Sequence, residues 1–408
     1  MGELFEQLQS NLDQVSGYIY PNEIELHWGL LVVIYPYVTG LVAGAFILAS
    51  LEKVFRVKEV EPTYRLSMLT ALAFMLVAPL PLLLHLGHPE RSFEIFLTPH
   101  LKSAMAMFGF VYAWYLMVVL LLETWFEYRT DLVLWRKDAR GIRKLILWVI
   151  ALGSKNVTKK TMAFDSKAVH VVTLIGIPSA FLLHGYVGFI FGSIKANPWW
   201  SSVLMPIVFL FSAIVSGIAL VILLYMLLIP ARGEELDMAC LDRMASFLFY
   251  AVIVDFTLET LDFIHRLYES EESIKILSEL VMSRLFISLF IIQVLLGMIF
   301  PLVIMSMVKI FKYNKELRKL LYFVSVLLIQ LGIYSTRWNV VIGGQLFSKS
   351  FRGLTTYRME LFGLEGLLTT LALLALPFLL LYGLYRLLPP WGEVRKSEEA
   401  KEAVPAEG

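Results

Sequence analysis

The chain has 408 residues, 58% of them hydrophobic and 17% charged; 35 Lys and Arg stand against 34 Asp and Glu, and the mean hydropathy is +0.72. Soluble domains run at roughly 45–50% apolar and about 25% charged, so a soluble globular fold is excluded, and balanced charges divided among loops leave no basic patch for nucleic acid. One cysteine, Cys240, excludes an intrachain disulfide, an iron–sulfur cluster held by this chain alone and a CxxCH haem attachment.

The first 26 residues, MGELFEQLQSNLDQVSGYIYPNEIEL, are acidic and lack both a basic start and an early apolar run. They read as an extracytoplasmic segment rather than a cleaved signal peptide. Nine apolar segments follow that meet the requirement of about 20 residues for a membrane-spanning helix. They are predicted at 27–52, 64–88, 103–126, 167–192, 200–229, 242–266, 280–309, 317–344 and 360–388. Between the third and the fourth, within 127–166, lies LVLWRKDARGIRKLILWVIALGS. Its apolar run is too short to cross, and Arg136, Lys137, Arg140, Arg143 and Lys144 make it an amphipathic helix lying in the interface. A tenth, re-entrant or spanning segment is the alternative. The fold class is therefore all-α, a polytopic bundle of about nine transmembrane helices.

Lys and Arg set the orientation. They crowd the loops at Lys53–Lys58, 129–160 and Lys309–Lys319, and are sparse in the loops between. The prediction is a multi-pass protein of the inner (cell) membrane with its N-terminus outside and its C-terminus in the cytoplasm. Residues 389–408 form a charged tail expected to be disordered.

The sixth segment contains VDFTLETLDFIHR, residues 254–266. At about 100° per residue, Asp255, Glu259, Asp262 and Arg266 fall within an arc of roughly 60°, flanked by His265. Such groups belong in a bundle interior. Asp255 lies roughly 18 Å from the inner end of its helix, near the midplane, and the others climb towards the outer surface. Two readings stand side by side. One is a structural network, with Asp262 paired to Arg337 or Arg284. The other is a proton path through Asp255, Glu259, Asp262 and His265, in which Asp255 has no evident arginine. Haem would need two histidines facing each other, and most of the seven cluster at the outer rim. GxxxG occurs at Gly40/Gly44 and Gly188/Gly192, which favours close helix contact. No metal, phosphate-loop or nucleophile motif is present.

Four stretches together resemble the NrfD/PsrC family, the membrane quinone-binding subunits of polysulfide-reductase-type complexes. They are HWGLLVVIYPYVTGLVAGAFILAS, HLGHPERSFEIFLTPHLKSAMAMFGF, LLHGYVGFIFGSIKANPWWSSVLMPIVFLFSAIVSGIAL and RWNVVIGGQLFSKSFRG, the last two similar to the longer, DsrP-like branch. The second, with its LGxPER…LTPxxxSxM pattern, is the most specific. The resemblance implies two antiparallel four-helix bundles plus an extra helix, with no haem or iron–sulfur cluster in this chain. It also implies a pocket for quinone (menaquinone or ubiquinone) near the outer face. The partners would be an extracytoplasmic four-cluster iron–sulfur subunit, a catalytic oxidoreductase subunit and membrane lipid. The family pocket uses polar residues at the start of the first helix and a tyrosine late in the fourth, matched here by Asn22 or His27 and by Tyr186; His184, two residues earlier in HGY, is added from position alone. The expected function is electron exchange between the quinone pool and the iron–sulfur partner in a respiratory complex, coupled to proton transfer if the stripe is a relay. A secondary transporter, broken at VIGGQ, and a purely structural membrane anchor are the alternatives.

Overall fold

The computed structural model describes residues 15–391 apart from 101, 156 and 270–272. The expected tail lies outside the described residues from 392 onward, as do the first fourteen of the N-terminal segment. Nine long helices and one short one account for most of the described residues. They are α1 (Leu30–Lys53), α2 (Lys58–His85), α3 (Ala106–Asp138), the short α4 (Gly141–Ile150), α5 (Lys159–Gly192), α6 (Met205–Ala231), α7 (Met238–Glu269), α8 (Phe286–Ile310), α9 (Lys315–Gln345) and α10 (Leu367–Leu387). All the long helices except α7 are apolar and long enough to cross a membrane. Helix α7, at 32 residues, carries the charged stripe and packs among them.

Hydrophobicity on every side of a helix puts it in the interior. In α1, 89% of the most apolar stretch is buried, against 22% in α10. The first bundle is α1, α2, α3 and α5; the second is α6, α7, α8 and α9; α10 lies on the outside against α2 and α1. This is the all-α arrangement of two four-helix bundles and an extra helix. The bundles meet where α1 packs along α6. There Gly44 and Gly217 face each other so closely that a Cβ on Gly217 would collide with the backbone of Gly44 and Ala45. Small residues allow this approach, which dispersion contacts then stabilise in a solvent as apolar as the side chains themselves.

Helix α3 runs past the expected Phe126 to Asp138, and α5 starts before the expected Lys167, at Lys159. These turns are held by ion pairs as well as by the burial of Tyr128, Leu132 and Val133: Arg65 to Glu127 and to Asp131, each at 2.8 Å, and Arg129 to Asp165 at 2.6 Å. The hydrophobic pattern ends where the polar pairing begins. Gly343–Gln345, in the stretch that a transporter would break at mid-membrane, is instead one 3-10 turn at the very end of α9.

A short antiparallel ribbon has no counterpart in the sequence reading. Strand β1 (Ser16–Tyr18) pairs with β2 (Arg352–Leu354), Gly17 opposite Gly353. Glu23 adds to it, accepting from the Ser348 hydroxyl and, at 3.2 Å, from the Lys349 amide. The segment ahead of α1 is thereby clamped to the loop after α9, and the two roof one end of the molecule. That end is called the ribbon face; α4 lies at the opposite one.

Gly217→Val should cost about 1–3 kcal/mol or more by overpacking the α1–α6 seam, read as a lower melting temperature of the detergent-solubilised protein. Gly383→Ala on α10, where a Cβ meets nothing within 4 Å, should leave the melting temperature unchanged; equal effects would contradict the seam.

Candidate functional site

The other three helices of the second bundle, α6, α8 and α9, face the α7 stripe. Asp262 is fully buried, accepts from the Ser202 hydroxyl and is paired with Arg266 Nη2 at 2.6 Å, one turn along the same helix. Arg266 also donates to the Trp199 carbonyl (2.6 Å) and lies over the Trp199 ring. The expected partners of Asp262 are therefore corrected. Arg337 sits elsewhere, and Arg284 is exposed ahead of α8. The i,i+4 neighbour takes the pair because it needs no tertiary alignment.

Arg337 is the largest fully buried side chain. Its Nη2 donates to the Ser212 hydroxyl at 2.6 Å and lies 3.3 Å from His184 Nε2, and the guanidinium covers the Phe209 ring. Its charge acts on both Asp255 and Glu259. Asp255 thus does have an arginine in electrostatic range, contrary to expectation, although its Oδ1 is buried without a hydrogen-bond partner among the described residues. Glu259 accepts from Gln293 Nε2 at 2.8 Å, and Gln293 in turn accepts from Asn339 Nδ2 at 2.7 Å. His265 stands apart, half-buried and 3.3 Å from Glu269.

Glu259, Asp262, Arg266, Gln293, Thr336 and Asn339 form the polar side of a cavity of about 240 Å³, whose other walls are Phe256, Phe263, Leu289, Phe290, Met298 and their neighbours. An engineered cavity of about 150 Å³ holds benzene, so a single ring or a short water chain fits this one.

A second cavity, about 380 Å³, opens at the ribbon face. Asn22 and His27 line it together with Glu23, Trp28, Asn197, Trp200, Gln345 and Lys349. Trp28 stacks on Trp200 (centroids 5.3 Å apart) and is bound to the Gln345 amide through both its N–H and its carbonyl, at 3.1 and 3.0 Å. The other two expected members are not here. Tyr186 donates to the Ala104 carbonyl at 3.0 Å and stacks on Phe108, joining α5 to α3. His184 is fully buried, Gly40 of α1 leaving room for its ring. Residues two apart on a helix differ by about 200°, so His184 and Tyr186 face different neighbours. The two cavities share a wall at consecutive residues: Trp199 lines the inner one and Trp200 the outer.

Residues 21–349 match the family model described as polysulphide reductase, NrfD. The chain belongs to the NrfD family. A selenate reductase subunit of Mesobacillus selenatarsenatis is 29% identical to it over 323 residues, 77% of this chain and 73% of that protein. A putative dimethyl sulfoxide reductase membrane subunit of Halobacterium salinarum is 30% identical over 207 residues, 49% and 43% of the two chains. The matched span holds both four-helix bundles and both cavities of this NrfD chain, while α10 lies beyond it.

Several of the residues that build the site are absent from the sequence reading. Gln293 is a lone polar side chain in an apolar helix, and that isolation is the available signal; Thr336 and Asn339 flank Arg337 in YSTRWN, a polar run inside an otherwise apolar segment. Glu123 is another, fully buried in the first bundle and accepting from Thr173 Oγ1 (2.8 Å) and the Tyr64 hydroxyl (3.1 Å). Among the described residues no group of three or more His, Cys, Asp or Glu could hold a metal ion.

Removing one member of a buried pair costs about 3–5 kcal/mol, because the other charge is left unpaired. Asp262→Asn should therefore lower the stability of the NrfD chain by about that amount, and Asp262→Asn with Arg266→Gln by clearly less. A double variant as unstable as the single, in chemical or thermal unfolding, would break the assigned pair.

Proposed function

We propose that this chain is the membrane subunit of a reductase complex and that it exchanges electrons and protons with the quinone pool. Quinone takes up two electrons and two protons to become quinol, and the reverse step returns them. A site for it needs hydrogen-bonding groups for the carbonyls, a proton path and a flat apolar seat. The ribbon-face cavity offers these groups. Asn22 and His27 bind the head group, the Trp28–Trp200 stack forms the aromatic wall, and the glutamine-held backbone of Trp28 fixes that wall in place. His184 and Tyr186 take supporting roles, His184 at the buried arginine and Tyr186 between α3 and α5.

The observation that carries the reading is the shared wall of the two cavities. Behind Trp199 lie Asp262 and Glu259, with Asp255 deeper on the same helical face, so protons move along α7 on one side of the Trp199–Trp200 pair while electrons arrive at the head-group site from the other. His265, at the ribbon-face end of α7, is the outermost member of that path. The chain's single cysteine cannot ligate a cluster by itself, so the electrons come from an iron–sulfur subunit docked on the ribbon face. The loops there expose Phe93, Leu97, Leu361, Phe362 and Leu364, and Arg91 and Arg352 are exposed as well, groups that a docked subunit can cover. On this reading the ribbon face is extracytoplasmic, the C-terminus is cytoplasmic, and the catalytic subunit sits beyond the iron–sulfur subunit. The selenate reductase and putative dimethyl sulfoxide reductase relatives support the coarser part of this reading, a membrane subunit of a reductase complex.

In the assembled complex, His27→Ala and Asn22→Ala should each lower quinone-dependent turnover at least several-fold with assembly intact, as expected for loss of a positioned hydrogen-bonding or proton-transfer group. Wild-type turnover in both would remove the ribbon-face cavity from the reaction. Asp255→Asn, in proteoliposomes with a pH-sensitive dye, should keep bound quinone but slow turnover or proton movement. If both stay normal, the stripe serves only to hold the helices together.

A further inference from the structure

The face opposite the ribbon holds a cleft that electron and proton exchange leaves unused. Helix α4 docks on the bundle through Leu147 and Ala151 and leaves Ile142, Leu145, Trp148, Val149 and Leu152 exposed. Between α4 and the end of α3 is an open cleft of about 590 Å³, lined by Arg136, Lys137, Lys144 and Lys155 with Leu145 and Trp148. No carboxylate lines it among the described residues. Arg136 Nη1 is buried without a hydrogen-bond partner among the described residues. Four like charges around one cleft repel each other, and a buried guanidinium N–H without an acceptor is costly. An occupant that relieves both must carry anionic oxygens. An occupant that also covers Leu145 and Trp148 must carry apolar chains.

We propose that this cleft binds an anionic phospholipid. Its phosphate lies among Arg136, Lys137, Lys144 and Lys155, with Arg136 supplying the planar donor pair that matches phosphate oxygens, and its acyl chains run down past Leu145 and Trp148. Tryptophan suits this level, where one ring edge meets head groups and the rest meets hydrocarbon. A free phosphate would satisfy the cations and leave the apolar wall in water; the lipid accounts for both features. The site is built from the connection between α3 and α5, so its occupant pins that connection to the membrane surface. Basic pockets beside membrane helices hold anionic head groups elsewhere on this principle. The proposal stands independently of the quinone reading.

The test uses the full-length protein in neutral detergent and native mass spectrometry with equimolar phosphatidylglycerol and phosphatidylcholine. The wild type should retain phosphatidylglycerol preferentially. Each lysine near a lipid surface contributes on the order of a fivefold change in affinity, so Lys144→Gln should weaken phosphatidylglycerol by about that factor. The combined Lys137→Gln, Lys144→Gln, Lys155→Gln variant should weaken it by more than about tenfold. The matching triple change to arginine should keep the preference. These lysines are exposed, so melting without added lipid should be unaltered; should the triple variant not fold, Lys144→Gln alone decides. An unchanged lipid preference in Lys144→Gln would overturn the proposal. So would inorganic phosphate binding with the same lysine dependence and displacing the lipid, since the cleft would then be a soluble-anion site.

Discussion

Arg337 is fully buried, and the arrangement of the second bundle follows from keeping that charge in place. A guanidinium in hydrocarbon costs several kcal/mol or more unless the protein supplies partners. Here the partners come from every side: the Ser212 hydroxyl from α6, His184 Nε2 from α5, the Phe209 face from α6 and the fields of Asp255 and Glu259 from α7. One side chain therefore ties α9 to three other helices and joins the two bundles through α5. The seam depends on it as well. Gly40 and Gly44 lie one turn apart on α1; the first leaves room for His184, and the second lets α1 approach α6. Close backbone approach and the buried charge are two parts of one construction.

The fold is legible in the sequence because its signal is long and repetitive. Apolar stretches of about 20 residues mark eight of the nine long helices, and the boundaries differ most where charged turns extend a helix beyond its apolar run, as at Arg129 and Asp165. The β ribbon is not legible, because three-residue strands have no periodicity to read. Within the site, the stripe on α7 can be read from its spacing, but its pairing with a distant arginine cannot. Depth along a helix suggests Arg337 and Arg284, whereas pairing depends on rotation and on which helices are neighbours. Arg266, the partner Asp262 actually has, stands four residues away, where spacing alone points to it. His184 and Tyr186 are close in sequence, yet helical geometry turns them apart. Gln293 and Asn339 escape a sequence reading because polar but uncharged residues scarcely disturb an apolar pattern, even where they complete a network.

The tryptophan pair separates two environments with very little chain. Trp199 Nε1 donates to the Asn339 carbonyl at 2.8 Å and Trp200 Nε1 to the Val340 carbonyl at 2.6 Å, so both indoles are anchored to consecutive carbonyls of α9. Asn339 also donates to Gln293, and Gln293 to Glu259. A set of hydrogen bonds thus runs from Trp199, in the wall of the inner cavity, through Asn339 and Gln293 to Glu259. Such rigid support is what a site needs when two reacting partners must be held in register.

The proposed division between electrons and protons follows from what each requires of a protein. Electrons need only proximity to a carrier, so the carrier can stay outside this chain, on a face with loops large and apolar enough to seat another subunit. Protons need an unbroken sequence of ionisable and hydrogen-bonding groups through hydrocarbon, and only a membrane chain can supply that. The carboxylates therefore sit on α7 in the interior, where they are costly to keep. Reductase subunits named for selenate and for dimethyl sulfoxide are both similar to this chain, which itself belongs to the NrfD family. On that proposal Arg337 bears on the path directly, because its charge acts on both Asp255 and Glu259.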